Sequence, residues 1–370
     1  MTAALPLHDD YAEQLDCIQA NLAALAARHH GPHAALGFGA TLGFAPKPGP
    51  HGLPGVEPDL DAHLASADAH LGLRVDARWR VAPSAHAAVL PDDRDSVYVI
   101  ADAFHLPWVP YCAHQHMAHS FIIERDDGGL RATDHYWNDT QWGPARPGSW
   151  RLSDAELAAA LRDGAEVIAL TPHTLAPPLP EPRYVAPASA DVEAYLAAYR
   201  GHPDRPAALA QLTLETWLLA RSRRLHVTLR TRRGEDPARW SDTLREWRGV
   251  VEQTYLALRR VQRGHPEPGA ALDRLAALLA NEPASFAAPT FRERVAAEVA
   301  AVLRVDAAAL RAGEPFTIAP TFSSFRIVEI VERLEERLGV SFDPDDLVPE
   351  NLHRLDDLCR IARLSAKEPT

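Results

Sequence analysis

The sequence predicts an α+β protein in three parts: mixed helix and strand over residues 1–175, helix alone over 185–280, and a small helical domain over 288–370. Three observations lead there. Two short runs rich in apolar and β-branched residues, Phe121–Glu124 and Leu130–Thr133, flank the turn sequence Asp126-Asp127-Gly128-Gly129, so they predict a hairpin. From Ala190 to Leu279 the apolar residues recur at helical spacing, with Trp217, Trp240, Trp247 and Tyr255 as large anchors. Near the end, Ile327, Ile330, Val331 and Leu334 mark one face of a helix that opens at Ser324.

The remaining elements follow in order. Asp16 to Arg28 reads as a helix, with Ile18, Leu22 and Leu25 on one face, Asp16 as its cap and Gly31 just beyond its end. Leu71–Val81, Val97–Ala101 and Glu166–Leu170 read as strands, and Ser153-Asp-Ala-Glu156 is a capping box opening a short helix. Pro172 to Pro187 reads as an extended connection, and Asn281 to Pro289 as a linker before the last domain. Gly37-Phe-Gly39-Ala-Thr-Leu-Gly43 superficially matches a dinucleotide-binding loop, but no strand precedes it and no acidic ribose ligand comes after it.

Composition excludes several classes of function. The net charge of −12 argues against a nucleic-acid surface, which needs a basic footprint. No apolar run is long enough for a membrane span. The first ten residues lack the basic and apolar regions of a signal peptide. Three cysteines, Cys17, Cys112 and Cys359, fit a reducing compartment, so a cytoplasmic protein is expected.

Cys17 falls in the first turn of its helix, a position that favours a thiolate nucleophile. With Asp126–Gly129 as the turn, Phe121 stands opposite Asp134, and His119 shares the face of Phe121. His119 and Asp134 are then diagonal neighbours, as an aspartate that orients an imidazole must be. Cys17, His119 and Asp134 are the candidate catalytic residues, with the Cys17 backbone N–H and Gln14 as candidate oxyanion donors. Cys359 is expected in the core. Other readings stay open: Cys112 as the nucleophile, zinc held by His105, His114, His116 and His119, or His114 and His116 as pocket-lining loop residues. The basic run Arg221, Arg223, Arg224, Arg230, Arg232 and Arg233 reads either as a solvated helix face or as a docking patch for an acidic partner.

The order Cys, His, Asp is that of papain-like cysteine enzymes and of the peptidases that trim double-glycine leaders. Further motifs stand after Cys17: Leu36-Gly-Phe-Gly-Ala-Thr-Leu-Gly-Phe44, Val97-Tyr-Val-Ile-Ala-Asp102, Leu106-Pro-Trp-Val-Pro-Tyr111 and His116-Met-Ala-His119-Ser-Phe-Ile-Ile. Together they resemble the N-terminal domain of the butirosin biosynthesis protein H family, and the helical region resembles the segment that comes after that domain in the family. Asp16 departs from the family, which often has His before the cysteine. The resemblance implies a papain-like acyltransferase that moves an acyl or aminoacyl group from a carrier-protein thioester to a small-molecule amine acceptor in antibiotic-like natural-product biosynthesis.

The last domain resembles the acyl and peptidyl carrier proteins. Ser323-Ser324-Phe325, Val328-Glu329-Ile330 and Leu334-Glu-Glu-Arg-Leu-Gly339 stand at the offsets of that family's modified serine and recognition helix. Helices expected at Phe291–Leu303 and Leu355–Leu364 complete a four-helix bundle. The resemblance implies that Ser324 carries covalent 4′-phosphopantetheine, attached by a phosphopantetheinyl transferase and charged by an acyl-loading enzyme or another carrier protein. Ser323 and Phe325 replace the family's usual Asp and Leu. The competing expectations are a thioesterase, which passes the acyl group to water, and a non-catalytic carrier, or an unmodified docking module, on a degenerate scaffold.

Overall fold

The computed structural model describes residues 9–287 and 291–365. The first eight residues, part of the stretch tested for a signal peptide, and the end of the 281–289 linker lie outside them. The chain divides into two compact units, Met1–Ala287 and Ala288–Thr370. The mixed region and the helical region, expected as separate domains, lie together in the first. The fold is mixed α+β.

The first unit is built on a six-stranded antiparallel sheet. Its strands are β1 (Leu73–Val81), β2 (Ser96–Asp102), β3 (Ala118–Asp126), β4 (Gly129–Asp134), β5 (Gly148–Leu152) and β6 (Ala165–Pro172), in the order β5-β4-β3-β2-β6-β1. The expected hairpin is β3–β4, with Ile122 opposite Thr133 and Asp126 opposite Gly129. Asp126 Oδ1 accepts the Gly128 N–H at 2.8 Å, and Gly129 takes φ 117°, a conformation that a Cβ would strain. The first strand starts two residues later than expected, because residues 67–71 form a helical turn closed by left-handed Gly72.

Helix α1 (Cys17–His30) lies on the sheet. Its cap is Asp16, which accepts from the Gln19 N–H while the Gln19 side chain accepts from the Asp16 N–H. Tyr98, Ser120 and Glu124 all bond to α1 residues, so they mark the face that the helix covers.

The helical region holds α2 (Ser189–Gly201), α3 (Arg205–Arg232), α4 (Ser241–Gln262) and α5 (Ala270–Phe286). Helix α3 joins it to the mixed region. Leu209, Leu212 and Leu219 pack into a core with α2, α4 and α5, whereas Leu225 and Leu229 complete the core beneath α1. The Pro-rich connection is extended as expected, and Arg183–Tyr184 pairs parallel with Thr41–Leu42. Gly37 and Gly39 have a packing role. A Cβ at Gly37 would meet the Leu71 side chain at 2.7 Å, and one at Gly39 would meet the Leu225 carbonyl at 2.9 Å.

Two sequence expectations change here. Helix α5 runs through Asn281 and Pro283 to Phe286, where a linker was expected. Anchors on either side of the proline hold it: Glu282 accepts from Arg223 Nε and Nη2 at 2.6 and 2.9 Å, and Phe286 is fully buried. Trp240 and Trp247 are buried anchors and Trp217 is partly buried, but Tyr255 is 40% exposed.

The second unit has three longer helices, α6 (Phe291–Leu303), α7 (Ser324–Leu338) and α8 (Leu355–Ser365), and a short helical turn at Ala307–Arg311. Helix α6 packs against both α7 and α8. Ile330, Val331 and Leu334 of α7 enter the shared core, as does Cys359, and left-handed Gly339 ends α7. No helix among the described residues is long and apolar enough to cross a membrane.

Candidate active site

The start of α1 meets the start of β3 and the end of β4, which brings Cys17, His119 and Asp134 together. Asp134 Oδ2 lies 2.7 Å from His119 Nε2. His119 is fully buried, and Asp134 and Cys17 are nearly so. With Nε2 facing the carboxylate, Nδ1 is the ring nitrogen left to exchange a proton with a neighbour. The Cys17 side chain interacts with the same imidazole. Burial alone would lower the His119 pKa. Interactions with Asp134 and Cys17 outweigh it and hold the imidazole well above its ordinary 6.5. Burial pushes the Asp134 carboxyl up, but the His119 charge and three hydrogen bonds keep it below the usual aspartate range.

The support for this dyad is a buried network that the sequence reading missed. Asn21, one turn along α1 from Cys17, donates through Nδ2 to Asp134 Oδ1 at 3.1 Å and to the Ser120 carbonyl at 2.8 Å. Its Oδ1 accepts the His135 N–H at 2.9 Å. The Tyr136 N–H supplies Asp134 Oδ1 with a second donor at 2.9 Å. Ser120 Oγ donates to the Cys17 carbonyl at 2.7 Å, and Tyr98 OH to the Ile18 carbonyl at 3.2 Å. The first turn of α1 is thereby fixed to β3 on the residue next to His119. The Tyr136 ring packs edge-on against the His119 ring, 5.4 Å between centroids. A signal for Asn21 was present: a polar residue four positions after Cys17 shares its helix face.

The Cys17 backbone N–H stands at the first helical position, where no intrahelical acceptor exists. Gln14 is buried, and its Oε1 accepts from Thr228 Oγ1 at 2.8 Å. Asp16 is tied into its capping box, with Oδ2 4.0 Å from Nε2 of buried His63.

The competing histidine readings separate. His119 is committed to Asp134. His114 stacks on Trp142 with ring centroids 5.5 Å apart. His116 Nδ1 lies 2.6 Å from Asp102 Oδ2 and stacks on Phe104, and His105 Nε2 lies 2.8 Å from Asp163 Oδ2. The four histidines therefore do not converge on one ion. The group that does converge, with ligand atoms within 4.8 Å of one another, is Asp102, His116 and Asp163. Cys112 lies between Leu106 and His116, and no hydrogen bond ties its thiol to a histidine among the described residues.

The basic run divides: Arg221, Arg223 and Arg230 are buried, Arg224 is half-buried, and Arg232 and Arg233 are exposed, so the solvated-face reading holds only for its end. Arg223 is buried against Glu282. Arg230 is buried against Glu235 and the Phe286 carbonyl. Arg221 is buried with backbone partners, the carbonyls of Leu15 and Trp137.

In the second unit Ser324 opens α7 and is exposed. Ser323 takes the cap, accepting the Arg326 N–H at 3.3 Å, so the cap is filled by the residue that departs from the usual aspartate. Phe325 is 85% exposed and Val328 56%, on the side of α7 turned away from its core. No family model matches the sequence, and no curated protein matches it.

Proposed function

We propose that this chain is a Cys-His-Asp acyltransferase of natural-product assembly, papain-like in its first unit and bearing its own four-helix carrier domain in the second. The observation that carries the reading is the buried set of Cys17, His119 and Asp134. A thiol stands at a helix start beside an imidazole whose far nitrogen is held by a carboxylate, the arrangement that nucleophilic acyl transfer needs. Ser324, exposed at the start of α7, supports the carrier half, since helix N–H groups favour an attached phosphodiester.

In this mechanism His119 Nδ1 takes the Cys17 proton, and Sγ attacks the carbonyl carbon of the carrier thioester. The oxyanion is met by the Cys17 backbone N–H, with Gln14 as the second donor named from the sequence. The carbon–sulfur bond to the pantetheine arm breaks, and its sulfur leaves with the proton from His119. An acyl-Cys17 thioester remains. The acceptor amine attacks it and gives its proton to His119, an amide bond forms, and the Cys17–acyl bond breaks. Water in place of the amine makes the same site a thioesterase.

The test starts with intact mass. The protein is incubated with coenzyme A and a promiscuous phosphopantetheinyl transferase, with Ser324→Ala as control. A mass gain confined to the wild type supports the carrier. The arm is then charged by an acyl-loading enzyme, and a trapped acyl-Cys17 species, absent in Cys17→Ala, supports the transferase. Turnover that survives Cys17→Ala sinks it in favour of a scaffold.

A further inference from the structure

Helices α3 and α4 and the segment after β4 border an open cavity of about 240 Å³ in the first unit. Three arginines line it, Arg221, Arg224 and Arg248, with Trp137 and Trp217 among its walls. This is a local reversal of sign in a chain of net charge −12.

The cations are poorly neutralised. Arg221 is only 9% exposed. Its guanidinium donates to the Leu15 carbonyl, to the Trp137 carbonyl at 2.9 Å and to Asn138 Oδ1 at 3.3 Å, and it stacks 3.9 Å over Trp217. No carboxylate pairs with it among the described residues. Arg224 has only Glu13, at 3.8 Å, and Arg248 forms no hydrogen bond or ion pair among the described residues. The other carboxylate in the lining, Asp139, is taken by Arg146 at 2.6 Å. A buried guanidinium without a counter-charge is costly, and an anion in the cavity would offset that cost.

The cavity also reaches toward the catalytic set. Asn138, in its wall, donates through Nδ2 to Tyr111 OH at 3.3 Å. Tyr111 OH lies 3.2 Å from Tyr136 OH, and the Tyr136 ring packs on His119. The Leu15 carbonyl held by Arg221 belongs to the turn that leads into Cys17.

We propose that this cavity binds the phosphate of the phosphopantetheine arm that delivers the acyl group to Cys17. Arg221 forms its floor, Arg224 and Arg248 close on the phosphate oxygens, and the tryptophans pack on the pantoyl methyls. The inference rests on the acyl-transfer reading, and it gives the donor a fixed point from which the thioester reaches the nucleophile.

The test titrates the full chain, with Ser324 unmodified, with pantetheine 4′-phosphate, pantetheine and inorganic phosphate, followed by calorimetry and tryptophan fluorescence. Pantetheine 4′-phosphate is expected to bind about tenfold to a hundredfold more tightly than pantetheine. The double variant R224E/R248E, whose folding is checked by its thermal midpoint, is expected to erase that difference. Equal binding of the two pantetheines overturns the proposal, as does a preference that survives R224E/R248E. Inorganic phosphate binding as tightly as pantetheine 4′-phosphate also overturns it, since the cavity would then read charge alone. In coenzyme A the pantetheine phosphate is part of a diphosphate, and on Ser324 it would be a diester; comparing acyl transfer from each tells which donor the cavity serves. The two readings fail separately. Cys17-dependent turnover without phosphate preference sinks the cavity alone, and phosphate preference without Cys17-dependent turnover sinks the transferase alone.

Discussion

The two units treat their reactive residue in opposite ways. In the first, Cys17 and His119 sit at 8% and 0% exposure, and every oxygen of Asp134 is already accepting a hydrogen bond. In the second, Ser324 is exposed beside Phe325, and α7 turns only Ile330, Val331 and Leu334 fully into its core. A group that makes and breaks bonds needs fixed dipoles and exclusion of water. A group that is modified by one protein and presented to another needs access. On the proposed reading, the contrast separates chemistry from delivery within one chain.

The largest expected effect breaks the catalytic half alone. Cys17→Ala should lower thioester turnover by roughly four to six orders of magnitude, as loss of a nucleophile does elsewhere. Mass gain at Ser324 should be unaffected. A parallel loss of both would erase the division of labour.

Asp134→Asn comes next. Both oxygens of Asp134 accept, so an amide NH₂ faces a donor whichever way it turns. Turnover should fall by roughly a thousandfold or more, measured as kcat. The variant also moves a pH profile. In the wild type the raised His119 value means that its stabilising charge is complete below about 6.5 and lost as pH rises through the folded value. The depressed Asp134 value acts in the other direction, present above 3.8 and lost as pH falls through its folded value. Without the carboxylate charge, burial dominates His119, and the alkaline limb of activity should shift to lower pH. An NMR titration of the His119 ring that does not move would refute this account.

A smaller effect sharpens the comparison on the stability side. Glu282→Ala leaves Arg223 buried without its partner and should cost the first unit about 3–5 kcal/mol, seen as a lower thermal midpoint. The second unit's transition should stay in place. Smallest of all, Ser324→Ala removes an exposed hydroxyl and should change stability by no more than about 0.5 kcal/mol while abolishing the mass gain.

Much of the candidate site is legible locally. The β3–β4 register derives from one turn sequence, because alternation along a hairpin leaves no freedom once the turn is set. The Asp16 cap and the start of α1 at Cys17 derive from side-chain chemistry within four residues. The burial of Arg221, Arg223 and Arg230 in α3 is not legible locally, for the complementary reason. Arg221 and Arg223 look like a solvated run because their partners, Leu15, Trp137 and Glu282, lie far away in sequence. The continuation of α5 through Pro283 has the same origin, since its anchors come from α3.

The sequence by itself determined which residues could react and which faces of strand and helix they occupy, since those depend on periods of two and of 3.6 residues. Only the tertiary structure decided that Cys17 meets His119, that Asn21 and Ser120 lock the two elements together, and that three arginines share one cavity. Each of these joins segments far apart in the chain, and burial in a common core, not local pattern, selects such pairs.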